Sequence, residues 1–369
     1  MKLLYATSIT YPSKYANRFQ VLKMSEAWYR LLGDKFILGG RNIVPEQKQS
    51  RIASLKTSRS FLLSWRLLKL AKGEFVTHVY SREEKLIFFM MIYNKLFFRL
   101  PLAFAFEAHA VPEHKSFFYT FVLKRVSCIV ALTSPMKQEL EVLFPNQKII
   151  VEPDAVDLEV FKSGGEERDR IRAELGIPRD VFIVGYTGSF KTMGMDKGVS
   201  DIFRTIAELH QKGVTNVYVL AVGATPLEKN EYERLAQELS IESFACVVTR
   251  VPWQKLPQYQ QACDILAMPF PHTRHFDLYM SPMKLFEYMA SGKPIIASDL
   301  PSVRDILNSQ NSVLIEAGSV EGLTKAVVQL INDQEQAQKI GLQSQNDAEK
   351  YTWDKRAERI SLELGIVSK

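Results

Sequence analysis

The sequence is poor in cysteine and lacks a hydrophobic run long enough to cross a membrane. Its 369 residues include three cysteines, Cys128, Cys246 and Cys263, and no two of them are spaced as metal ligands. Each lies among apolar residues, so we expect buried thiols in a reducing cytosol rather than disulfides. The apolar stretch 86–93 is interrupted by Asn94 before about twenty apolar residues accumulate, so it predicts a buried helix and not a membrane span.

Sequence signals for metal binding and nucleic-acid binding are missing as well. There is no Asp-x-Asp motif and no His/Cys cluster at metal-ligand spacing, so we expect a site without a metal or other cofactor. No nucleic-acid recognition motif accompanies the net charge of +6, so we expect no nucleic-acid partner. The chain starts like a strand and not like a secretory signal, which favours a cytoplasmic protein.

Positive charge is concentrated in the first half of the chain. Residues 1–160 carry 23 Lys+Arg and 14 Asp+Glu, whereas residues 161–369 carry the remaining 24 and 27. Residues 48–72 contain seven basic residues and no acidic one, interleaved with leucines and aromatics. This composition predicts a helix on an anionic membrane surface, peripheral on the inner face of the cell membrane. The alternative is an amphipathic helix that docks on its own sheet with its lysines in water.

Short apolar runs alternate with helical stretches along the chain. In the first half, strands are predicted at residues 3–7, 36–38, 75–80, 102–106, 128–132 and 148–152, and helices at 18–32, 83–96, 117–126 and 134–143. In the second half, strands are predicted at 181–187, 217–222, 245–248, 264–268, 294–297 and 313–314, and helices at 199–212, 228–239, 323–332 and 337–350. Proline and glycine interrupt the pattern between residues 153 and 165. We therefore predict an α/β protein with two doubly wound parallel sheets, in domains of residues 1–160 and 166–350.

The most informative segment is SPMKLFEYMASGKP, from Ser281 to Pro294. Ser281 and Pro282 open a predicted helix, and the first-turn N–H groups of a helix suit an anion. Glu287 lies less than two turns further on, where a carboxylate suits ribose hydroxyls. This segment therefore predicts a site for the diphosphate of a nucleotide sugar. The alternative is a capped amphipathic helix in which Glu287 is a solvated charge.

This segment, together with DLPSVRDI at residues 299–306, resembles the family 4 retaining glycosyltransferases of the GT-B fold. Residues 151–161 and 351–356 match the family's interdomain segment and its last helix, so the resemblance covers nearly the whole chain. It implies two Rossmann-like domains facing a central cleft, with a terminal helix at residues 353–369 crossing back to the first domain. It also implies that the first domain binds the acceptor and the second the nucleotide sugar.

In that family a lysine and an arginine in the loop after the first strand of the second domain bind the donor diphosphate. Lys197 matches the lysine. The arginine usually follows the strand glycine, whereas Ser189 follows Gly188 here. The second charge would then come from Lys191 or from Arg250, or be missing.

The donor site implied by the resemblance consists largely of backbone groups. Its candidate residues are Gly188, Lys197, Arg250, Val251, Met280, Ser281, Pro282, Met283, Lys284 and Glu287. Because backbone groups hold the nucleobase in that family, the sequence leaves both the base and the sugar open.

The family's signature is a pair of glutamates with seven residues between them. Glu287 matches the second glutamate, but Tyr279 stands at the position of the first. Asp277 offers a carboxylate two residues earlier, and the backbone N–H groups of Met280 to Met283 are the alternative holders of the sugar hydroxyls.

Candidate residues of the first domain lie at strand ends. His109 matches a family position that faces the reacting sugar, so His109 and Glu287 are the catalytic candidates. The alternative for His109 is a structural histidine. Acceptor-binding candidates are Tyr11, Lys14, Asn17, Arg18 and Arg82, and a solvated surface loop is the alternative for the loop residues among them.

The resemblance implies transfer of a sugar from a nucleoside diphosphate sugar to a lipid-linked or oligosaccharide acceptor, in polysaccharide or glycolipid synthesis. Retention at the anomeric carbon would follow from a same-face mechanism in which the leaving phosphate accepts the acceptor proton. Two alternatives remain open: a sugar-nucleotide epimerase on the same fold, and a non-catalytic membrane-bound scaffold with a degenerate donor site.

Overall fold

The structure is a computed structural model that describes residues 1–9, 16–41, 52–55, 60–112, 116–161 and 166–368, without the side chains of residues 16–18, 52, 54 and 166. The chain divides into two compact units. Unit 1 comprises Met1–Asp154 together with Trp353–Lys369, and unit 2 comprises Ala155–Thr352.

Unit 1 is built on a parallel sheet that is covered by helices. Its described strands are β1 (Leu3–Thr7), β2 (Phe36–Arg41), β3 (Ile52–Leu55), β4 (His78–Ser81), β5 (Ala103–Ala108), β6 (Cys128–Ala131) and β7 (Ile149–Val151), in the order β3-β2-β1-β4-β5-β6-β7. The first helices are α1 (Ala16–Leu32), α2 (Ser60–Gly73), α3 (Glu84–Tyr93), α4 (Phe117–Leu123) and α5 (Ser134–Leu143). Most strand residues are buried, as expected for a sheet with helices on both faces.

Unit 2 contains a second parallel sheet and a small hairpin. Its strands are β8 (Phe182–Thr187), β9 (Lys191–Thr192), β10 (Met195–Asp196), β11 (Val217–Ala224), β12 (Ala245–Thr249), β13 (Ile265–Met268), β14 (Ile295–Ser298) and β15 (Val313–Ile315). The sheet order is β12-β11-β8-β13-β14-β15, and β9 and β10 pair antiparallel. The helices are α6 (Leu158–Phe161), α7 (Glu166–Glu174), α8 (Val199–Gln211), α9 (Pro226–Glu238), α10 (Leu256–Ala262), α11 (Met283–Ser291), α12 (Val320–Asn332) and α13 (Gln334–Ala348).

The last helix, α14 (Trp353–Glu363), belongs to unit 1, where it packs against α1. The indole N–H of Trp28 donates to the Ser361 hydroxyl at 3.1 Å. The Trp28 ring also lies 5.4 Å from the Tyr5 ring and 4.8 Å from the Tyr80 ring, centroid to centroid. The aromatic centre of unit 1 therefore joins β1, β4 and α1, and α14 is hydrogen-bonded to it.

Several predicted element boundaries are wrong. Phe75, predicted as the start of a strand, has φ of 53° and is exposed, because α2 ends in a turn in which the Val76 N–H donates to the Ala71 carbonyl at 2.9 Å. The strand begins only at His78. The predicted helix over residues 83–96 is α3 followed by a π-helix at Asn94–Phe98, and the predicted helix over 117–126 ends at Leu123.

The three cysteines are free thiols, and two of them are buried. Cys128 and Cys263 lie in the two cores, whereas Cys246 is only half-buried, so the expectation of a buried thiol is wrong there. Cys263 packs so closely on β8 that a Cβ on Gly185 would lie 2.1 Å from its sulfur. Across the described ranges, no helix is long and apolar enough to cross a membrane.

Candidate active site

The loop after β8 is where the donor candidates of unit 2 meet. Gly188 has φ of 116°, and its N–H donates to the Val222 carbonyl at 2.8 Å. Gly223 of β11 has φ of 119°, and a Cβ there would lie 2.4 Å from the Gly188 carbonyl oxygen. Both glycines are therefore needed for the close approach of the two strand ends. These ends lie at the carboxyl ends of the parallel strands, where ligands bind in such sheets.

Lys197 is held at this loop by the β9–β10 hairpin. Its N–H donates to the Phe190 carbonyl, and its ammonium donates to the Ser189 hydroxyl, each at 3.0 Å. Gly198 follows with φ of 76°, and a Cβ there would lie 1.8 Å from the Pro269 carbonyl oxygen. Burial lowers the pKa of Lys197 to about 8, although Glu228 opposes this shift. The lysine therefore sits in a partly desolvated position, directly before the start of α8.

Helix α11 begins one residue later than the sequence predicts. Pro282 is the residue before the helix, with extended backbone angles of −80° and 131°, and the Leu285 N–H donates to its carbonyl at 3.0 Å. The expected position of Pro282 in the first turn is therefore wrong. Ser281 is buried. The helix ends as predicted at Gly292, which has φ of 70°.

The Lys284 side chain is buried in unit 2, although its residue type is ordinarily exposed. The side-chain nitrogen is without a hydrogen-bond partner and lies 3.4 Å from the centroid of the Tyr186 ring. A Cβ on Gly188 would lie 3.2 Å from that nitrogen, so Lys284 reaches the same loop as Lys197. Burial and the nearby Lys197 hold the pKa of Lys284 well below its usual value, and Glu287 opposes them.

Glu287 is half-buried and lies three residues after Lys284 on α11. Burial raises the pKa of its carboxyl to about 7, and Lys284 opposes this shift. The two side chains therefore influence each other electrostatically, as neighbours at this spacing on a helix do. Near neutral pH the carboxyl is balanced between its two protonation states.

Tyr279, which stands at the position of the missing first glutamate, and Asp277, its possible substitute, lie in a π-helix, His275–Tyr279. Tyr279 is buried, and its hydroxyl accepts a hydrogen bond from Arg274 Nε at 2.9 Å. The Asp277 carboxylate lies 3.0 Å from His272 Nδ1. His275 was not predicted as a site residue, and burial and Lys197 both lower its pKa. In the sequence, the two histidines that flank Thr273 and Arg274 were the signal that could have marked this segment as a candidate.

The remaining donor candidates are more exposed. The Arg250 side chain is exposed after β12, while its N–H donates to the Ala224 carbonyl at 3.0 Å. Val251 is half-buried and packs against the core that includes α11. Lys191, the other candidate for the missing charge, forms an ion pair of 3.2 Å with Glu231.

The unit 1 candidates belong to a buried charge network centred on Glu107. Glu107 accepts from His109 Nε2 at 2.6 Å and from Arg356 Nη2 at 2.9 Å, and the Tyr80 hydroxyl also donates to it. Burial disfavours the charged carboxylate, but Arg356 and His109 more than offset this, so the pKa of Glu107 lies well below its usual range. Arg82 Nη2 lies 3.5 Å from His109 Nδ1. Burial and Arg82 lower the pKa of His109, which favours the neutral imidazole, although Glu107 opposes this shift.

Glu107 and Arg356 were not predicted as partners, although a glutamate inside the apolar strand AFAFEA was a signal that a cation lies nearby. Arg356 also donates to the Pro153 carbonyl at 2.7 Å. Of the predicted acceptor residues, Tyr11 and Lys14 lie outside the described residues. Asn17 and Arg18 lie in α1 at positions whose side chains the structure does not describe. In the part of the chain that the structure covers, no group of three or more His, Cys, Asp or Glu residues could hold a metal ion.

Residues 181–333, nearly all of the second parallel sheet with its helices, match the family of glycosyl transferases group 1. The chain is 26% identical over 215 residues to D-inositol 3-phosphate glycosyltransferase of Corynebacterium aurimucosum, covering 57% of this chain and 49% of that protein. It is 23% identical over 213 residues to GDP-mannose-dependent alpha-(1-6)-phosphatidylinositol monomannoside mannosyltransferase of Mycolicibacterium smegmatis, covering 57% of this chain and 54% of that protein. The matches thus span about half the length of these relatives.

Similarity to solved structures extends over the whole chain. The crystal structure of Anabaena Alr3699/HepE in complex with UDP matches with a TM-score of 0.78 at 18% identity, covering 100% of both chains. At this identity the similarity establishes the fold alone, and it confirms the predicted GT-B fold. Residues 181–333 are thus similar to the glycosyl transferases group 1 family, and the chain has the GT-B fold.

Proposed function

We propose that the protein is a retaining glycosyltransferase that moves a sugar from a nucleoside diphosphate sugar to a lipid-linked or oligosaccharide acceptor. The observation that carries this proposal is that Lys197 and helix α11, which bears Glu287, meet at the Gly188 loop. A diphosphate at this loop would be neutralised by Lys197 and by the N–H groups at the start of α11. Glu287 would then receive the hydroxyls of the attached ribose.

In the proposed reaction the acceptor hydroxyl attacks the anomeric carbon on the face from which the diphosphate departs. The bond from the anomeric carbon to the diphosphate oxygen breaks, the bond to the acceptor oxygen forms, and the acceptor proton passes to the leaving phosphate. The protein's contribution is to hold the diphosphate and to stabilise its developing charge, for which fixed cations and N–H groups are suited. No metal or other cofactor is part of this proposal.

The likeness to two named proteins supports a nucleotide-sugar donor and leaves the base open. The Anabaena structure holds UDP, and the mycobacterial relative is named as GDP-mannose-dependent. Arg250 and Val251, in the loop after β12, are the proposed base contacts. That relative is also named for a phosphatidylinositol mannoside, which supports a lipid-linked acceptor.

We propose that His109 and Arg82 serve the sugar or acceptor site of unit 1. His109 is half-buried at the end of β5, and its hydrogen bond from Nε2 to Glu107 fixes the orientation of the ring. An imidazole held in one tautomer can contact a sugar hydroxyl in a single orientation. The acceptor candidates Tyr11, Lys14, Asn17 and Arg18 precede or begin α1 and remain part of this proposal.

We also propose peripheral binding to an anionic membrane by an aromatic and basic surface of unit 1. This surface consists of α2, α3, α4 and the π-helix Asn94–Phe98. Leu62, Leu96, Phe97 and Phe117 are 47%, 58%, 62% and 67% exposed. Exposed basic residues border them: Arg66, Lys69, Lys72, Lys95, Arg99, Lys124 and Arg125. Exposed apolar side chains ringed by lysine and arginine are typical of proteins that insert shallowly into anionic lipid. Of the other residues predicted for the same helix, 48–51 and 56–59 lie outside the described residues, whereas Ile52–Leu55 form strand β3, so the prediction of a helix is wrong there.

The donor proposal is tested with the purified chain and a panel of UDP, GDP and ADP sugars. A donor that binds the folded protein raises its melting temperature, and the donor found in this way is then assayed for hydrolysis and transfer. We expect Glu287→Ala and Lys197→Ala to abolish turnover while the variants stay folded. Full activity of the double variant would refute the site, and absence of both binding and turnover would favour the non-catalytic scaffold.

The membrane proposal is tested by sedimentation with vesicles of phosphatidylglycerol and phosphatidylcholine at low salt. Binding should fall with added salt and in the Arg66→Glu/Lys69→Glu variant, because surface charges are screened and reversed. Lys212→Glu, which reverses an exposed charge of unit 2, is the matched control. Equal sedimentation of both variants and the unaltered protein would contradict the assignment of this surface.

A further inference from the structure

The donor loop has Ser189 where the resembling family has an arginine, so one cation of the diphosphate site is unaccounted for. We propose that the Lys284 side chain is that second cation, and that it binds the diphosphate from α11 in place of an arginine in the loop. This inference deepens the proposed function and rests on it, since a protein that binds no nucleoside diphosphate would have no such cation.

Burial without a partner is the first observation in support. The Lys284 residue is 8% exposed, and its side-chain nitrogen has no hydrogen-bond partner. An ammonium removed from water without an anion is strongly unfavourable, so buried lysines are ordinarily paired. Among the described residues, Glu287 lies at the next turn of α11 but forms no hydrogen bond with the Lys284 nitrogen. A ligand with negative charge would complete the site.

The position of the nitrogen is the second observation. It lies next to Gly188, while the ammonium of Lys197 is bonded to Ser189, so two lysines flank consecutive residues of one loop. Two like charges brought together raise each other's energy, and Lys197 adds to burial in lowering the pKa of Lys284. A nucleoside diphosphate carries enough negative charge to satisfy both.

Tyr186 explains how the lysine is tolerated in the empty site. The side-chain nitrogen lies over the face of the Tyr186 ring, and the hydroxyl of that ring is fixed by a 2.8 Å bond to the Ser189 carbonyl. A ring face attracts a cation by about 0.5–2 kcal/mol, less than a buried anion does. Lys284 is therefore oriented toward the loop before the ligand arrives, and a phosphate oxygen can compete with the ring for it.

The two other candidates for the missing charge are less suited by their surroundings. Lys191 is already paired with Glu231, and the Arg250 side chain is exposed after β12. A contact of either residue with phosphate would be made by a side chain largely in water, where ion pairs contribute little. The contact from Lys284 would be made in a desolvated position.

The test measures the dissociation constants of UDP, GDP and ADP by isothermal titration calorimetry, and the tightest of the three becomes the probe. We expect Lys284→Met to weaken binding of that probe at least tenfold, and Lys191→Met to weaken it less than threefold. The unliganded Lys284→Met variant should melt at the same temperature as the unaltered protein or higher, because an unpaired buried amine has been removed.

Lys212→Met is the control for a general loss of positive charge, since Lys212 is an exposed residue at the far end of α8 from Lys197. It should leave the dissociation constant within twofold. If the unaltered protein binds the probe and Lys284→Met binds it equally well, this inference is overturned while the proposed function stands. If none of the three diphosphates binds the unaltered protein, the proposed function fails as well.

Discussion

Unit 1 and unit 2 each bury charged side chains, but they satisfy them in opposite ways. In unit 1, Glu107 has bonds from Arg356, His109 and Tyr80, and Arg356 has further bonds to backbone carbonyls. In unit 2, the buried nitrogen of Lys284 has no hydrogen-bond partner and lies over the ring of Tyr186. A fully bonded network is what a fold needs for its own stability, whereas an incomplete one indicates a site for a ligand.

The largest effect is expected from breaking the network of unit 1. Arg356→Ala would leave Glu107 buried without its cation, and removing one partner of a buried pair costs about 3–5 kcal/mol of unfolding free energy. Urea denaturation of the whole chain, followed by tryptophan fluorescence, measures this loss. The double variant Glu107→Gln/Arg356→Met should recover much of it, because no uncompensated charge remains. A loss below about 1 kcal/mol for Arg356→Ala would contradict the comparison.

Removing a charge from unit 2 should instead affect ligand binding. Lys197→Met should weaken binding of the nucleoside diphosphate probe by about 10- to 100-fold, the range for a lost hydrogen bond to a charged group. The melting temperature without ligand should not fall by more than about 2 °C, since such a lysine adds little to the fold. Calorimetric titration and a thermal scan of the same sample separate the two effects. A large drop in melting temperature would place Lys197 among the structural charges.

A smaller effect is expected at the margin of the unit 1 network. Asp154 is buried, and burial raises its pKa to about 7, from 3.8. The pKa of the Asp154 carboxyl is higher in the folded protein than in the unfolded chain. The contribution of this carboxyl to the free energy of unfolding is therefore fully present below about pH 4 and is lost as the pH rises to about 7. Asp154→Asn removes that loss, so the variant should be more stable than the unaltered protein by about 2 kcal/mol at pH 8 and by little at pH 4. Equal stabilisation at both pH values would show that ionisation is not the cause.

The pH dependence of binding tests the desolvated state of Lys197. Its pKa is lowered to about 8 in the free protein, and a bound diphosphate would raise it. Affinity should therefore be independent of this group below pH 8 and weaken by up to about tenfold per pH unit above it. Lys197→Arg, which keeps its charge, should weaken less steeply over the same range. Identical slopes for the two proteins would mean that another group titrates.

The smallest effect is expected at an exposed ion pair between α1 and α14. Arg30 Nη2 and Asp354 Oδ1 are 2.6 Å apart, but their side chains are 51% and 62% exposed. Arg30→Ala should cost about 0.2–1 kcal/mol, because water screens such pairs. Denaturation under the conditions used for Arg356→Ala provides the comparison. A cost as large as that of Arg356→Ala would show that packing of α14 on α1, and not burial of charge, governs both results.

Much of the fold could be predicted because the signals are local. Buried parallel strands such as β8 and β14 are continuous apolar runs, and their alternation with amphipathic helices indicates doubly wound sheets. Strand β3 was missed because Ile52–Leu55 lies in a basic stretch, and the β9–β10 hairpin was missed because two-residue strands have no periodicity. The turn at Phe75 depends on how α2 ends, which composition does not specify.

The candidate site could be predicted only where it follows from neighbouring residues in the chain. Gly188 and Lys197 lie beside a strand end and a helix start, so their placement on one loop could be expected from the sequence. The side chain of Lys284 could not be placed in this way, because its burial depends on Tyr186 and Gly188, about a hundred residues earlier. The pairing of Glu107 with Arg356 is likewise tertiary, and no spacing rule connects them.

The position of Arg356 has a consequence for how the chain is made. The ribosome completes Glu107 some 249 residues before it adds the arginine that neutralises it. Until then the nascent first sheet holds a glutamate in its interior with no guanidinium to meet it, while all of unit 2 is synthesised in between. The synthesis of unit 1 therefore begins before that of unit 2 and is completed after it. A stop codon just after residue 352 would leave the buried Glu107 carboxylate permanently without its arginine.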